Sequence, residues 1–435
     1  MLDLLVRNAV LPGGEKLDIG VQDEKISVLS PEVEEDAELV LDAEGLTLLS
    51  GVIDMHVHFN EPGNTHWEGV FTGSRAFAAG GGCVFVDMPL NSIPATLDMA
   101  SLNFKKEAMK QSQTDYALWG GLTPINLDQM EELAAGGVIG FKAFMSDSGL
   151  PEFQNASPGV LHRGMEIAAK LGLPVAVHAE DPQHLGAYHG LTDFAQSRPT
   201  QAENSAVQIA LDIAKDTGCH LHLVHLSNVE AVMLALNARE QGVKVSIETC
   251  PHYLFFNEQD LLDQGVVLKC APPLRPEVDR RMLLKAVEKG WVDVIGSDHS
   301  PAPPDMKRGD FAAAWGGISS VQTTLSVLLT LGLTFEQIGK LLSEHPAQVL
   351  GMAGKGKLQV GLDADFFLLD PAQKVLTPGE LHDRHRLSPY LSHPLRGRVL
   401  YNFVRGHPVY ERGQFSSFTP KHIQRSQNLS EGQWH

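Results

Sequence analysis

Residues 54–58 read Asp-Met-His-Val-His and close the apolar run 48–53. Alternate side chains of a strand face one side, so His56 and His58 present two imidazoles to a common point, as a metal ion requires. Further groups of suitable chemistry stand at the ends of later apolar runs: Lys142 in Gly-Phe-Lys-Ala-Phe, His178 in Val-Ala-Val-His-Ala-Glu, His225 in His-Leu-Val-His-Leu-Ser and Asp298 in Ile-Gly-Ser-Asp-His. Histidine nitrogens with one carboxylate suit zinc, or a neighbouring ion such as manganese, cobalt or iron, better than calcium or magnesium. Lys142 is the odd member, because an ammonium repels a cation. Framed by Phe141, Ala143 and Phe144, its amine would lose its charge through desolvation. A neutral amine can add carbon dioxide to form a carbamate, whose two oxygens can bridge two divalent ions. Such a pair would hold a bridging hydroxide at neutral pH and polarise a carbonyl. Asp298 would take the hydroxide's proton and pass it to a departing nitrogen. This is machinery for hydrolysis.

Each of these residues ends a short strand-forming run, so the elements that must position them are strands whose carboxyl ends meet. Strand-like runs at 48–58, 83–88, 116–122, 138–142, 174–178, 220–225, 244–248 and 292–298 alternate with helical patterns such as 204–217 and 229–241. Gly218 and Gly242 stand where those two helices should stop. This rhythm predicts an α/β fold, a TIM-like (β/α)8 barrel over 50–354, with its site at the carboxyl ends of the strands. Residues 1–49 read as short strands divided by Gly, Asp and Pro turns, and the same texture returns at 356–361 and 363–370. Neither end has enough apolar surface for its own core. Residues 1–49 and 355–435 are therefore expected to pair as one small β-sandwich domain, with a polar tail beyond about 415 that is mobile or docks on a neighbouring subunit.

A chain of 435 residues with 43% hydrophobic content can bury a large core. Its 34 basic and 53 acidic residues give a net charge of −19, which argues against nucleic acid or an anionic membrane as partner and for a small neutral or weakly charged substrate. Cys83, Cys219, Cys250 and Cys270 show no Cys-x-x-Cys spacing, and the opening Met-Leu-Asp-Leu-Leu-Val-Arg is too short and too charged for a signal peptide. Reduced thiols in the cytoplasm are the expectation. No run approaches the roughly 18 consecutive apolar residues of a spanning helix.

The His-x-His pair, lysine, two later histidines and aspartate resemble the ligand set of the amidohydrolase superfamily, in its cyclic-amide branch. The resemblance covers nearly the whole chain, including the closing Val-Gly-Leu-Asp-Ala-Asp at 360–365. Local stretches are most similar to the allantoinase family: His-Phe-Asn-Glu-Pro-Gly at 58–63, Asp-Met-Pro-Leu-Asn-Ser-Ile-Pro-Ala-Thr at 87–96, Gly-Phe-Lys-Ala-Phe-Met-Ser-Asp-Ser-Gly at 140–149 and Ser-Asp-His-Ser-Pro-Ala-Pro-Pro at 297–304. The resemblance implies two divalent ions, most simply zinc, on His56, His58, N6-carboxylated Lys142, His178, His225 and Asp298. It also implies opening of the cyclic amide of allantoin to allantoate, and a homo-oligomer, tetramer or dimer. Related dihydroorotases carry arginine at the position of Asn60 to hold a substrate carboxylate in a bidentate fork. Asparagine offers one donor end and one acceptor end without charge, which matches a neutral ureide. Asn91, Ser146, Asp147, Cys270 and Gly317 are also expected to face substrate, and His252 is expected to support the ligands. A hydantoinase or dihydropyrimidinase is the alternative, with dihydroorotase less well matched because of Asn60. A metal-free scaffold of the same fold is opposed by the intact ligand set.

Overall fold

The computed structural model describes residues 1–426. The chain opens with strands β1 (Leu2–Val10), β2 (Lys16–Gln22), β3 (Lys25–Ser30), β4 (Ala37–Asp42) and β5 (Thr47–Ser50). β1 pairs antiparallel with β2 on one edge, and parallel with β4 and then β5 on the other. At Gly51 the chain leaves this sheet, so the run expected as one strand over 48–58 is two. A Cβ on Gly51 would lie 2.7 Å from the Cβ of Cys83, which leaves room only for glycine at the crossing.

Beyond Gly51 stand β6 (Val52–Val57), β7 (Gly82–Asp87), β8 (Asp115–Gly121), β9 (Gly140–Phe144), β10 (Val175–His178), β11 (Leu221–Leu223), β12 (Val245–Thr249) and β13 (Val294–Ile295). They form an 8-stranded parallel sheet in sequence order. Every side chain of β6, β7, β8 and β12 is buried. This explains the unbroken apolar runs: parallel strands covered on both faces do not alternate. The ring closes just past β13, where Val57 bridges to His299 and the His58 N–H donates to the His299 carbonyl at 2.8 Å. Helices return the chain between strands, among them Pro158–Leu171, capped by Ser157, and Val229–Glu240, capped by Asn228. Gly218 ends Thr200–Thr217 at φ 67°, a left-handed stop that suits glycine.

After the barrel come β14 (Phe366–Val375), β15 (Pro394–Val404) and β16 (His407–Glu411). β14 pairs antiparallel with β5, Phe366 opposite Ser50, so both ends of the chain build one mixed sheet in the order β16-β15-β14-β5-β1-β2-β3. Its core joins Leu4, Val6, Ile19 and Ile26 to Phe366 and Phe403, whose rings stack at 4.7 Å. The expected strand at 356–361 is a series of turns instead.

The tail also differs from expectation over 416–426. The Ile423 N–H donates to the Tyr116 carbonyl at 2.7 Å, the Tyr116 N–H donates to the Lys421 carbonyl at 3.1 Å, and the His422 ring stacks on Tyr116 at 5.2 Å. These residues lie on the chain's own barrel, at the end where β8 begins. Buried Asp115 anchors them, accepting from the Lys421 N–H at 2.8 Å, Arg405 Nε at 2.9 Å and Lys355 Nζ at 3.2 Å. Residues 427–435 lie outside the described part. Among the described residues no helix is long and apolar enough to cross a membrane.

Candidate active site

The carboxyl ends of β6, β9, β10, β11 and β13 bring the expected ligands together. Asp298 Oδ1 stands 3.3 Å from His56 Nε2 and 3.4 Å from His58 Nε2. Opposite, His178 Nδ1 and His225 Nε2 approach to 2.9 Å, and the His56 and His225 ring centres are 5.4 Å apart. The amine of Lys142 is fully buried and has no hydrogen-bond partner among the described residues. An orphaned buried amine needs an explanation. Inward-facing imidazole nitrogens, an aspartate and an amine able to gain two oxygens fit a pair of divalent ions.

The inward nitrogens of His56, His58 and His178 are each aimed by a contact on the far side of the ring. Glu248 Oε1 is 2.8 Å from His56 Nδ1, the Asn91 amide is 3.2 Å from His58 Nδ1, and Glu180 Oε2 is 2.6 Å from His178 Nε2. Glu248 also accepts from the His225 N–H at 3.1 Å, and its second oxygen is 3.2 Å from His222 Nε2. Glu180 is in turn gripped by Arg198, with Nε at 3.0 Å. Such outer contacts fix the tautomer and orientation of ligating histidines. Glu248, Glu180, Arg198 and His222 were not singled out from the sequence. The signal was present in Glu180, two places after His178, and in Glu248, an acidic residue in an apolar strand.

The electrostatics leave His58, His178 and His225 neutral and Asp298 ionised, the forms in which such groups bind a metal. Burial lowers the pKa of His58 and His178, and lowers that of His225 further with help from His178 and Lys142. Burial pushes the Asp298 carboxyl up, but His56, His58 and His225 together hold it well below the usual range. Burial likewise opposes ionisation of Glu248 and Glu180, yet His56 and His222 bring the first to about 2, and Arg198 and His178 the second to about 2. Burial brings Lys142 down to about 8 against the pull of Glu248 and Asp298. Asn60, Asn91, His225 and Asp298 have φ of 61°, 64°, 42° and 43°. Left-handed backbone at non-glycine residues costs roughly 1 kcal/mol or more each and persists where surrounding contacts enforce it.

The sequence profile of the "Amidohydrolase family" matches residues 47–409. The allantoinase of Deinococcus radiodurans is 47% identical, with 97% of this chain and 98% of that protein covered. The chain belongs to the amidohydrolase family and groups with the allantoinases. The Rubrobacter xylanophilus allantoinase is also 47% identical, over 95% of this chain and 96% of its own. Among solved structures, the L-hydantoinase (dihydropyrimidinase) of Arthrobacter aurescens superposes with a TM-score of 0.94 at 30% identity, covering 98% of this chain and 100% of that one. The family carries a binuclear metal centre.

Around the expected ligands of this amidohydrolase, the expected substrate-facing residues divide. Asn60 is 1% exposed; its Nδ2 donates to the Pro301 carbonyl at 3.4 Å and its Oδ1 has no hydrogen-bond partner among the described residues. Ser146 Oγ is also buried without a partner. Cys270 is buried beside Asp298, its thiol pushed up to about 12 by burial and that carboxylate, so it remains a neutral group. The Gly317 N–H donates to the Lys269 carbonyl at 2.7 Å, and its carbonyl accepts from Lys307. Asn91 serves the His58 ring. Asp147 is exposed and its carboxylate accepts from the Gly149 N–H at 3.0 Å, so its side chain is turned to its own loop.

Proposed function

We propose that this chain opens the cyclic amide of allantoin to give allantoate. His56, His58, Lys142, His178, His225 and Asp298 would hold two divalent ions, zinc first among them, with Lys142 as an N6-carboxylysine. The observation that carries the reading is the buried amine of Lys142, without a hydrogen-bond partner among the described residues, amid the neutral imidazoles of His58, His178 and His225 and the ionised Asp298, in a chain that groups with the allantoinases over nearly its whole length. When bound, the ions would polarise the amide carbonyl and lower the pKa of water enough to supply hydroxide at neutral pH.

The chain's own residues do the rest. Asp298 accepts the nucleophile's proton and returns it to the ring nitrogen, which then leaves as a neutral amide N–H while the carbonyl carbon becomes a carboxylate. Asn60 Oδ1 and Ser146 Oγ, both buried and unpaired among the described residues, are available to hydrogen-bond the ring, together with the backbone at Cys270, and Gly317 could add only the second lone pair of its carbonyl. Asn60 gives a substrate carboxylate no cation, and Lys307 is committed to the carbonyls of Gly317 and Val266. Burying an unpaired charge there costs several kcal/mol, roughly three or more orders of magnitude in rate, which disfavours dihydroorotate. The likeness in fold to hydantoinases supports hydantoin and dihydrouracil as the competing substrates.

The test is to compare kcat/KM for allantoin, hydantoin, dihydrouracil and dihydroorotate on one metal-replete preparation, with metal analysis. About two ions per chain and a preference for allantoin are expected; a higher kcat/KM for hydantoin or dihydroorotate would remove the reading. The free, buried cysteines are consistent with work in the cytoplasm. A homo-oligomer, dimer or tetramer, is proposed and is read by light scattering.

A further inference from the structure

One buried histidine at the site is not among the six expected ligands and hydrogen-bonds none of them. His252 lies in the short helix Pro251–Phe255 that follows β12 and is 0% exposed. One of its ring nitrogens stands within 4.8 Å of a carboxylate oxygen of Asp298 and of the Cys250 sulfur, yet neither nitrogen has a hydrogen-bond partner among the described residues. The ring is propped by Tyr253, with centroids 4.3 Å apart and planes tilted by 56°. Tyr253 is itself pinned where its hydroxyl donates to the Pro272 carbonyl at 2.7 Å. His252 is thus a rigidly placed, desolvated group whose polar atoms are unmet in the free protein, and such atoms in a binding site are kept for a ligand to satisfy. An imidazole carrying a single proton offers one donor and one acceptor.

We propose that His252 is a specificity-determining residue that hydrogen-bonds the ureido arm of the substrate. The inference rests on the allantoin reading above. In allantoin the ureido arm is carried on the carbon next to the carbonyl that is attacked, so the group that recognises it must stand beside the metal ligands, where His252 meets Asp298. A ureido group has a carbonyl oxygen and N–H groups, and either kind satisfies a neutral imidazole nitrogen. Hydantoin has the same ring without the arm. A site with a buried group reserved for that arm binds the shorter ring with the group left unpaired, which penalises the analogue.

The experiment uses metal-replete wild-type enzyme, His252→Leu and His252→Gln, with kcat/KM for allantoin and for unsubstituted hydantoin, or the hydantoin Ki where it is not turned over, and metal content alongside. His252→Leu is expected to lower the allantoin-to-hydantoin ratio by about tenfold or more, His252→Gln to recover part of it, and all three proteins to hold the same metal. His252→Phe replaces the leucine variant if that one does not fold. Equal losses on both substrates, loss of metal on removing the imidazole, or an unchanged ratio would each overturn the proposal. Wild-type enzyme that fails to turn over allantoin removes the underlying reading before any variant is compared.

Discussion

Lys142→Met separates what the amine costs the fold from what it gives the site. Lys142 is fully buried without a hydrogen-bond partner among the described residues, and burial takes its pKa from 10.5 to about 8. At about 1.36 kcal/mol per unit, keeping it protonated in the fold costs roughly 3 kcal/mol relative to the unfolded chain. Between the folded value of about 8 and the unfolded 10.5, the unfolded chain binds more protons, so stability rises with pH across that window. The penalty is complete below it and gone above it. Methionine fills similar space without charge. In metal-free, bicarbonate-free protein at about pH 7 the variant should therefore be more stable by about 1–3 kcal/mol, with some of the gain lost to imperfect repacking. That advantage should fade as the pH approaches 10.5. Urea unfolding of both proteins across this pH range measures it. The same variant, offered metal and bicarbonate, should have almost no turnover. A variant less stable than the parent at about pH 7, or a difference that does not change with pH, would refute the desolvated amine; turnover near the parent's would refute its place at the metals.

Asp298→Asn should reduce kcat by about 10²–10⁴-fold with a smaller change in KM, since proton transfer acts in the transition state; steady-state kinetics with metal analysis checks this, and full turnover with both ions bound would contradict it. Glu248→Gln weakens the bonds that Glu248 accepts from the His225 N–H at 3.1 Å and shares with His56 Nδ1 at 2.8 Å. Metal affinity should fall about 10–100-fold, read by restoring activity to chelator-stripped protein with increasing metal. Unchanged affinity would show that Glu248 supports the fold alone.

The residues legible in the sequence were those whose meaning is local. His56 and His58 follow from the two-residue period of a strand, and the strands of the barrel from apolar runs buried on both faces. The far-side supports were not legible, because Glu248 lies 192 positions from the His56 ring it aims and no local pattern links them. Nor does residue type reveal that His225 and Asp298 adopt left-handed backbone. The break at Gly51 was hidden because β5 and β6 meet in one apolar run and only their different partners divide them. β4 escaped because it is mostly exposed, and β15 because glycine and arginines interrupt its apolar residues. The segment 416–426 carries no apolar period; it is held by backbone hydrogen bonds to Tyr116 and by Asp115, partners that sequence alone does not identify.

The sheet shared by both ends imposes an order on synthesis. β5 is made before any barrel strand, and its partner β14 only after all of them. Barrel neighbours are consecutive in the chain and can pair as they emerge from the ribosome, whereas the N-terminal strands must wait with one edge open. An open edge of unpaired N–H and C=O groups is a template for foreign strands, and pairing between distant segments is slow. Nascent or prematurely stopped chains that lack β14–β16 would therefore present a formed barrel bearing an unfinished sheet. The period of greatest risk of aggregation is the interval before those last strands are released, and it is in that interval that a chaperone would have most to protect.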